Sequence, residues 1–96
     1  KLGGLAMPVN GFGFNIQAKP PTSDEFVNKQ KAYYETALEY FTPARCMFES
    51  NFPVDKASIS YPVLWNAFKK IAKNYSSAEK DQLFYQTAAK VYRITD

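Results

Sequence analysis

The chain has 96 residues, with 12 Lys and Arg against 9 Asp and Glu, no histidine and a formal net charge of +3 at pH 7. This length suffices for one small domain or for part of a larger one. The positive charge is mild and scattered, which argues against a nucleic-acid partner. No apolar run approaches the roughly 20 residues that cross a bilayer, which argues against a membrane partner.

The absence of histidine excludes an imidazole acid or base, and it excludes histidine ligands for a metal. The single cysteine, Cys46, cannot form an internal disulfide, and its apolar neighbours predict a buried thiol. With no visible export signal, we expect a cytoplasmic protein. The first residues, from Lys1, read as the inside of a structural element, so we also expect a fragment of a larger domain.

The first half of the chain predicts a strand, a loop and a helix. Residues 1–6 (KLGGLA) suggest a short strand, and residues 7–21 form a loop unusually rich in Phe, which we expect to pack on a pocket or a partner. Thr22 and Glu25 have the spacing of a capping box, which predicts a helix over 23–41. Thr42-Pro43 ends this helix.

The second half predicts a strand followed by two helices. Residues 46–50 (CMFES) read as a buried strand, with a loop over 51–59. Ser60 is expected to cap the next helix, and a second capping box at Ser76 predicts a last helix over about 77–92. Strands that alternate with helices are typical of parallel α/β units. Two strands alone leave open edges, so we expect a slice of a larger sheet.

Three segments carry a family resemblance: ARCMFESNFPVDK, YPVLWNAFKKIA and LFYQTAAKVYRI. Together with KLGGLAM at the start, they resemble the C-terminal end of the amidohydrolase-related family (amidohydrolase 2). These proteins are TIM-barrel metal-dependent hydrolases and decarboxylases. The resemblance covers nearly all 96 residues, so residues 1–96 are expected to be the C-terminal portion of such a domain. The implied fold class is α/β, a fragment holding the last two βα units and the closing helix of a TIM (β/α)8 barrel.

The resemblance also implies site residues. Active sites of such barrels lie at the C-terminal ends of the strands, and Asn51 follows the last one. In much of the family this position is an Asp that binds metal or handles the proton of the attacking water. Asn cannot accept a proton, but it can coordinate or orient a substrate, so Asn51 is a catalytic candidate. The alternative is an Asn that caps the turn.

Glu49 is the second catalytic candidate, because residues 49 and 51 of a strand point to the same side, roughly 7 Å apart. Its carboxylate would replace the missing Asp, and the alternative is an ion pair with Arg45. Asp55 is a candidate for substrate binding, with simple solvent exposure as the alternative. Lys1, near the end of the first strand, is the other candidate for substrate binding.

The implied function is hydrolysis of a C–N or C–O bond, or decarboxylation, by a metal-activated water in the complete protein. The expected cofactor is a divalent metal, with zinc favoured, and the expected partner is a small-molecule substrate. This fragment would hold no metal and would be inactive alone. The alternative is a non-catalytic α/β interaction module that covers its apolar surface by forming a homo-oligomer. The chain length of the native gene product separates the two.

Overall fold

The structure is a computed structural model that describes residues 1–7 and 10–94. Helix α1 spans Ser23–Phe41 and α2 spans Tyr61–Ile71. Helix α3, Ser77–Asp81, continues through a π-helical turn, Gln82–Gln86, into α4, Thr87–Tyr92. We call this continuous stretch, 77–92, the closing helix. Short 3-10 turns lie at Phe14–Ile16, Pro43–Arg45 and Val54–Ala57.

Helix α1 begins and ends where the sequence predicts. The Thr22 hydroxyl accepts a hydrogen bond from the Glu25 backbone N–H at 3.1 Å, and the Glu25 carboxylate accepts one from the Thr22 N–H at 3.0 Å. The capping box is therefore confirmed. At the other end Thr42 adopts a positive φ of 65°, and Pro43 follows it. A helix cannot continue through either feature.

The starts of the two later helices differ. Ser76 and Glu79 form the second predicted capping box, with hydrogen bonds of 3.1 and 2.9 Å. Ser60 is the N-cap residue of α2, as predicted, but its hydroxyl makes no capping hydrogen bond. Pro62 instead lies in the first turn of α2, where a missing N–H costs no helical hydrogen bond.

The two predicted strands, 1–6 and 46–50, do not form. They meet at one isolated parallel bridge between Leu2 and Phe48. In this bridge the Leu2 N–H donates to the Met47 carbonyl at 2.7 Å, and the Glu49 N–H donates to the Leu2 carbonyl at 3.0 Å. The prediction of two strands was therefore wrong beyond this pair of hydrogen bonds.

Backbone conformation and a competing helix explain why the strands stop. Gly4 and Asn51 have φ values of 82° and 55°, so each of the two segments leaves the extended region shortly after the bridge. On the outer edge of the second segment, the Phe48 N–H donates at 3.0 Å to the Leu83 carbonyl in the π-helical turn. A helix thus takes the donor that a neighbouring strand would use.

The predicted fold class is contradicted. The described residues are mainly helical and contain no sheet, so they do not form the α/β arrangement of βα units expected of a TIM-barrel fragment. The helices were located correctly, whereas the parallel α/β architecture was wrong. It rested on two short apolar segments, and periodicity alone does not distinguish a strand of that length from other buried backbone.

The core is built mainly from aromatic rings. Phe68 of α2 lies at its centre, stacked on Phe48 with ring centroids 4.5 Å apart and in edge contact with Tyr34 at 5.6 Å. Phe26 approaches the same ring at 6.4 Å. Cys46 is buried in this core, as predicted. Ring pairs at these distances add to the stabilisation from apolar burial.

Only some of the large apolar side chains of α1 face the core. Phe26, Tyr34 and Leu38 are buried, whereas Tyr33 and Phe41 are more than half exposed. A polar residue, Gln30, occupies the central position of the buried face instead. The spacing 26, 30, 34 and 38 follows one row of the helix, which explains why this row is the buried one.

The loop over 7–21 packs its aromatic residues against α1. Phe14 is buried and stacks on Phe26 with centroids 5.9 Å apart, and Phe12 contacts the edge of Tyr33 at 5.7 Å. The expectation that this loop packs on something is confirmed for these residues. Pro8 belongs to the predicted loop but lies outside the described residues.

Candidate functional site

The candidate site is centred on Asn51. This residue lies at the turn that follows residues 46–50, which we call the bridged segment because Phe48 forms the bridge to Leu2. Its φ of 55° lies in the left-handed region, which Asn adopts more readily than most residues. The Asn51 carbonyl accepts a hydrogen bond from the Asp55 N–H at 3.0 Å, and Ser50 accepts one from the Phe52 N–H at 3.2 Å. These contacts fix the backbone on both sides of Asn51.

The side chains of Asn51 and Asp55 are joined directly. Asn51 Nδ2 donates to Asp55 Oδ1 at 2.8 Å. Asp55 is only 1% exposed, so the alternative of simple solvent exposure is wrong for this residue. Burial raises the pKa of the Asp55 carboxyl, the hydrogen bond from Asn51 opposes this rise, and the charge of Glu49 adds to it.

Glu49 lies against the first residues of the chain. A Cβ atom at Gly3 would overlap with the Cγ atom and the carbonyl oxygen of Glu49, so glycine is required for this approach. Glu49 is half-buried. Its carboxylate is near enough to raise the pKa of Asp55 and of Tyr34.

The predicted alternative for Glu49, an ion pair with Arg45, is not found. The Arg45 guanidinium lies over the Phe41 ring, 5.9 Å from its centroid. Within the described part of the chain, the ion pair closer than 4 Å joins Lys70 of α2 to Asp24 of α1 at 2.7 Å. The Glu49 carboxylate therefore has no basic side chain in contact within that part of the chain.

Lys1 is exposed and is directed toward the closing helix. Its ammonium lies 5.5 Å from the centroid of the Tyr92 ring. A hydrogen bond to Tyr92 and the charge of Glu49 both raise the pKa of the Lys1 side chain. Lys1 also lines a small cleft of about 210 Å³ together with Tyr33 and Tyr34.

The structure thus brings together some of the predicted site residues. Asn51 and Asp55 are in contact, and the Asn51 amide packs over Gly4, where an added Cβ would lie 3.4 Å from Nδ2. Glu49 acts on Asp55 through its charge. The charge of Glu49 also raises the pKa of Lys1, but the Lys1 ammonium lies over the Tyr92 ring. No finding tests whether any of these residues binds substrate, so their roles stay predictions.

Sequence reasoning missed Tyr34 as part of this group. Tyr34 lies on the buried face of α1 and is almost fully buried. Burial raises the pKa of its hydroxyl, and the charges of Asp55 and Glu49 raise it further, so the phenol stays neutral. No local signal in the sequence places Tyr34 beside residues 49 and 55, because the proximity depends on how α1 packs.

A wider cleft of about 710 Å³ lies on the other side of the Val54–Ala57 turn. Its walls come from the loop over 7–21, from residues 52–60 and from the start of α2, and they include three aromatic rings: Phe14, Phe52 and Tyr61. Ser58 lines the cleft and has a buried hydroxyl that makes no hydrogen bond. This volume falls in the range of small-molecule sites.

The described residues do not fit a metal ion by themselves. They contain no cluster of three or more His, Cys, Asp or Glu side chains with suitable spacing. The oxygen donors near Asn51 are the carboxylates of Glu49 and Asp55, and one Asp55 oxygen already accepts a hydrogen bond. The zinc predicted from the resemblance would therefore need ligands outside residues 1–7 and 10–94. Within those same residues, no helix is long and apolar enough to cross a membrane.

Comparison with known proteins gives two matches. The sequence pattern of the family described as Amidohydrolase matches residues 21–94. The uncharacterised protein y4mH of Sinorhizobium fredii (strain NBRC 101917 / NGR234) is 48% identical over 64 residues, which cover 67% of this chain and 22% of that protein. The chain thus spans about a fifth of the length of the curated relative that it matches. No solved structure matches the chain significantly.

Proposed function

We propose that this chain, which belongs to the amidohydrolase family, contributes Asn51 and Glu49 to the active site of a hydrolase. The family match carries the proposal, because residues 21–94 include both side chains and the turn that holds them. The reaction is the addition of water across a C–N or C–O bond of a small molecule. Decarboxylation is the second reaction of the same site.

The local chemistry supports different roles for the two residues. Asn51 is half-buried and held by its neighbours, so it orients a bound group through its amide. Glu49 is half-buried and has no basic side chain in contact among the described residues, so its carboxylate is available to accept a proton from the attacking water. The oxygen of that water bonds to the substrate carbon, and the proton passes to the leaving nitrogen or oxygen as the old bond breaks.

The remaining parts of the active site come from polypeptide outside these 96 residues. The relative is several times longer than the matched segment, which covers 22% of it. Members of this family generally use a metal ion, and the described residues here do not complete a metal site. Of the two residues predicted to bind substrate, Asp55 and Lys1, the proposal keeps a substrate contact for Lys1. Lys1 is exposed enough to reach a ligand, whereas Asp55 is buried.

The test is an activity screen of the polypeptide encoded by the gene that contains this sequence. It is assayed with lactones, esters, amides and aromatic acids, in the presence of added Zn²⁺ or Mn²⁺. Turnover of a lactone, ester or amide supports hydrolysis, and release of CO2 from an aromatic acid supports decarboxylation. Absence of turnover in every class contradicts the proposal.

A second candidate function is a non-catalytic module that binds a second copy of the chain. Large apolar side chains on the surface favour it, and Ile16 and Tyr40 are 83% and 79% exposed. Sedimentation of the chain at several concentrations tests it. A stable dimer that dissociates when Ile16 and Tyr40 are replaced by Ser supports this function. A chain that stays monomeric at all concentrations contradicts it.

A further inference from the structure

Asn51 and Asp55 are linked twice within one turn. The Asp55 N–H donates to the Asn51 carbonyl at 3.0 Å, and Asn51 Nδ2 donates to Asp55 Oδ1 at 2.8 Å. The Asp55 carbonyl in turn accepts hydrogen bonds from the N–H groups of Ser58 and Ile59, at 2.9 and 3.1 Å. Asp55 is therefore held by the backbone before and after it.

The chemistry of the two side chains fixes the direction of the Asn51 amide. An ionised carboxylate only accepts hydrogen bonds, so the amino group of Asn51 must face Asp55. The carbonyl oxygen Oδ1 of Asn51 then points to the other side. A half-buried Asn otherwise has a broad, two-fold choice at χ2, and the contact with Asp55 removes that choice.

Asp55 itself is too deeply buried to reach a bound molecule. It is 1% exposed, the charge of Glu49 raises its pKa, and its own charge raises the pKa of Tyr34 of α1. A second carboxylate at position 51 would lie within hydrogen-bonding distance of Asp55 and repel it. The neutral amide of Asn51 avoids this repulsion.

We propose that Asp55 is a positioning residue that fixes the Asn51 amide so that its carbonyl oxygen accepts a hydrogen bond from an O–H or N–H group of the bound substrate. This inference rests on the proposed function, because it takes Asn51 to be part of the site. It concerns Asp55, which does not contact substrate and acts through Asn51 alone. The orientation of the amide is testable on the chain itself, without any substrate.

The first test is nuclear magnetic resonance of the 15N-labelled 96-residue chain between pH 3 and 8. The Nδ2 proton of Asn51 that faces Asp55 is expected to shift with the titration of that carboxyl. Asp55→Asn should abolish the shift, whereas Asp81→Asn, which removes an exposed carboxylate, should leave it intact. Signals of Asn51 that do not change with pH in the unmodified chain would overturn the inference, even if the variant failed to fold.

The second test uses the active polypeptide and separates the two proposals. Asp55→Asn is expected to lower kcat about 10-fold with KM nearly unchanged, since the amide is no longer held in one direction. Asp81→Asn should leave both constants unchanged. If Asn51→Ala removes turnover while Asp55→Asn has no effect, the positioning role is overturned and the proposed function stands. If neither change has an effect, both are overturned.

Discussion

The rings of Phe48 and Phe68 stack in the core with their centroids 4.5 Å apart and their planes 13° from parallel. Phe48 belongs to the bridged segment that leads to Asn51, and Phe68 belongs to α2. The contact therefore ties the candidate site to the helical core. Its loss should affect the stability of the whole chain.

Phe68→Ala is expected to lower the free energy of unfolding by roughly 3–5 kcal/mol, because it leaves a cavity in a fully buried position. Urea denaturation followed by circular dichroism measures this loss. Tyr40→Ala is the matched control, since it removes an aromatic ring that is largely exposed, and it should change stability by less than about 0.5 kcal/mol. Equal losses in the two variants would contradict the assignment of Phe68 to the core.

Thr87 links the closing helix to the turn before the bridged segment. Its buried hydroxyl donates to the Pro43 carbonyl at 3.0 Å. Thr87→Val keeps the shape but removes this hydrogen bond, while the Pro43 carbonyl still accepts one from the Cys46 N–H at 3.2 Å. We therefore expect a loss of about 0.5–1.5 kcal/mol in urea denaturation. Thr87→Ser keeps the hydroxyl and should lose less. A more stable Val variant than Ser variant would show that the hydrogen bond has no role in stability.

The ionisation of Asp55 should make stability depend on pH. Its native pKa is raised, chiefly by burial, so the folded chain binds this proton more tightly than the unfolded chain does. The stabilisation of the folded chain by this tighter proton binding is fully present below the ordinary Asp pKa of about 4. It is lost as the pH rises through the raised native pKa of Asp55.

We therefore expect the unmodified chain to gain stability relative to Asp55→Asn as the pH falls from 7 to below about 4. Unfolding in urea at a series of pH values measures the difference in the free energy of unfolding between the two proteins. The other carboxylates are present in both proteins, so their effects cancel in this difference. Asp81→Asn removes an exposed carboxylate and serves as the control. The same pH dependence in both variants would mean that burial does not perturb the Asp55 carboxyl.

Glu49 is proposed as the proton acceptor, and its charge is the property that matters. Glu49→Gln in the active polypeptide is expected to reduce kcat by roughly 100-fold or more, as loss of a general base does. Glu39→Gln changes an exposed carboxylate of α1 and serves as the control. Unchanged turnover in Glu49→Gln would remove Glu49 from the mechanism.

The sequence was sufficient to locate the helices and two of their caps. Glu25 and Glu79 stand three residues after a Thr and a Ser, and this local chemistry acts as predicted. The prediction of two strands was wrong because a hydrogen bond between residues far apart in the sequence replaces the pairing of strands. The Phe48 N–H finds its partner at Leu83, far along the chain, and no pattern within residues 46–50 indicates that partner.

The candidate site was predictable only in part. Asn51 was singled out by its place in a motif, and the structure puts it in a turn with positive φ. The burial of Asp55 was not predictable, because a charged residue in a loop is usually solvated. The proximity of Tyr34 to Asp55 and Glu49 depends on how α1 packs, and no local pattern in the sequence indicates it.

The central claim is that the Asn51 side chain acts on the substrate. The most direct measurement is kcat of the gene-encoded polypeptide with Asn51→Ala, beside Asn66→Ala, which truncates an exposed amide on α2. The account predicts a loss of roughly 10- to 100-fold for Asn51→Ala and no change for Asn66→Ala. Equal and undiminished turnover in both variants would contradict it.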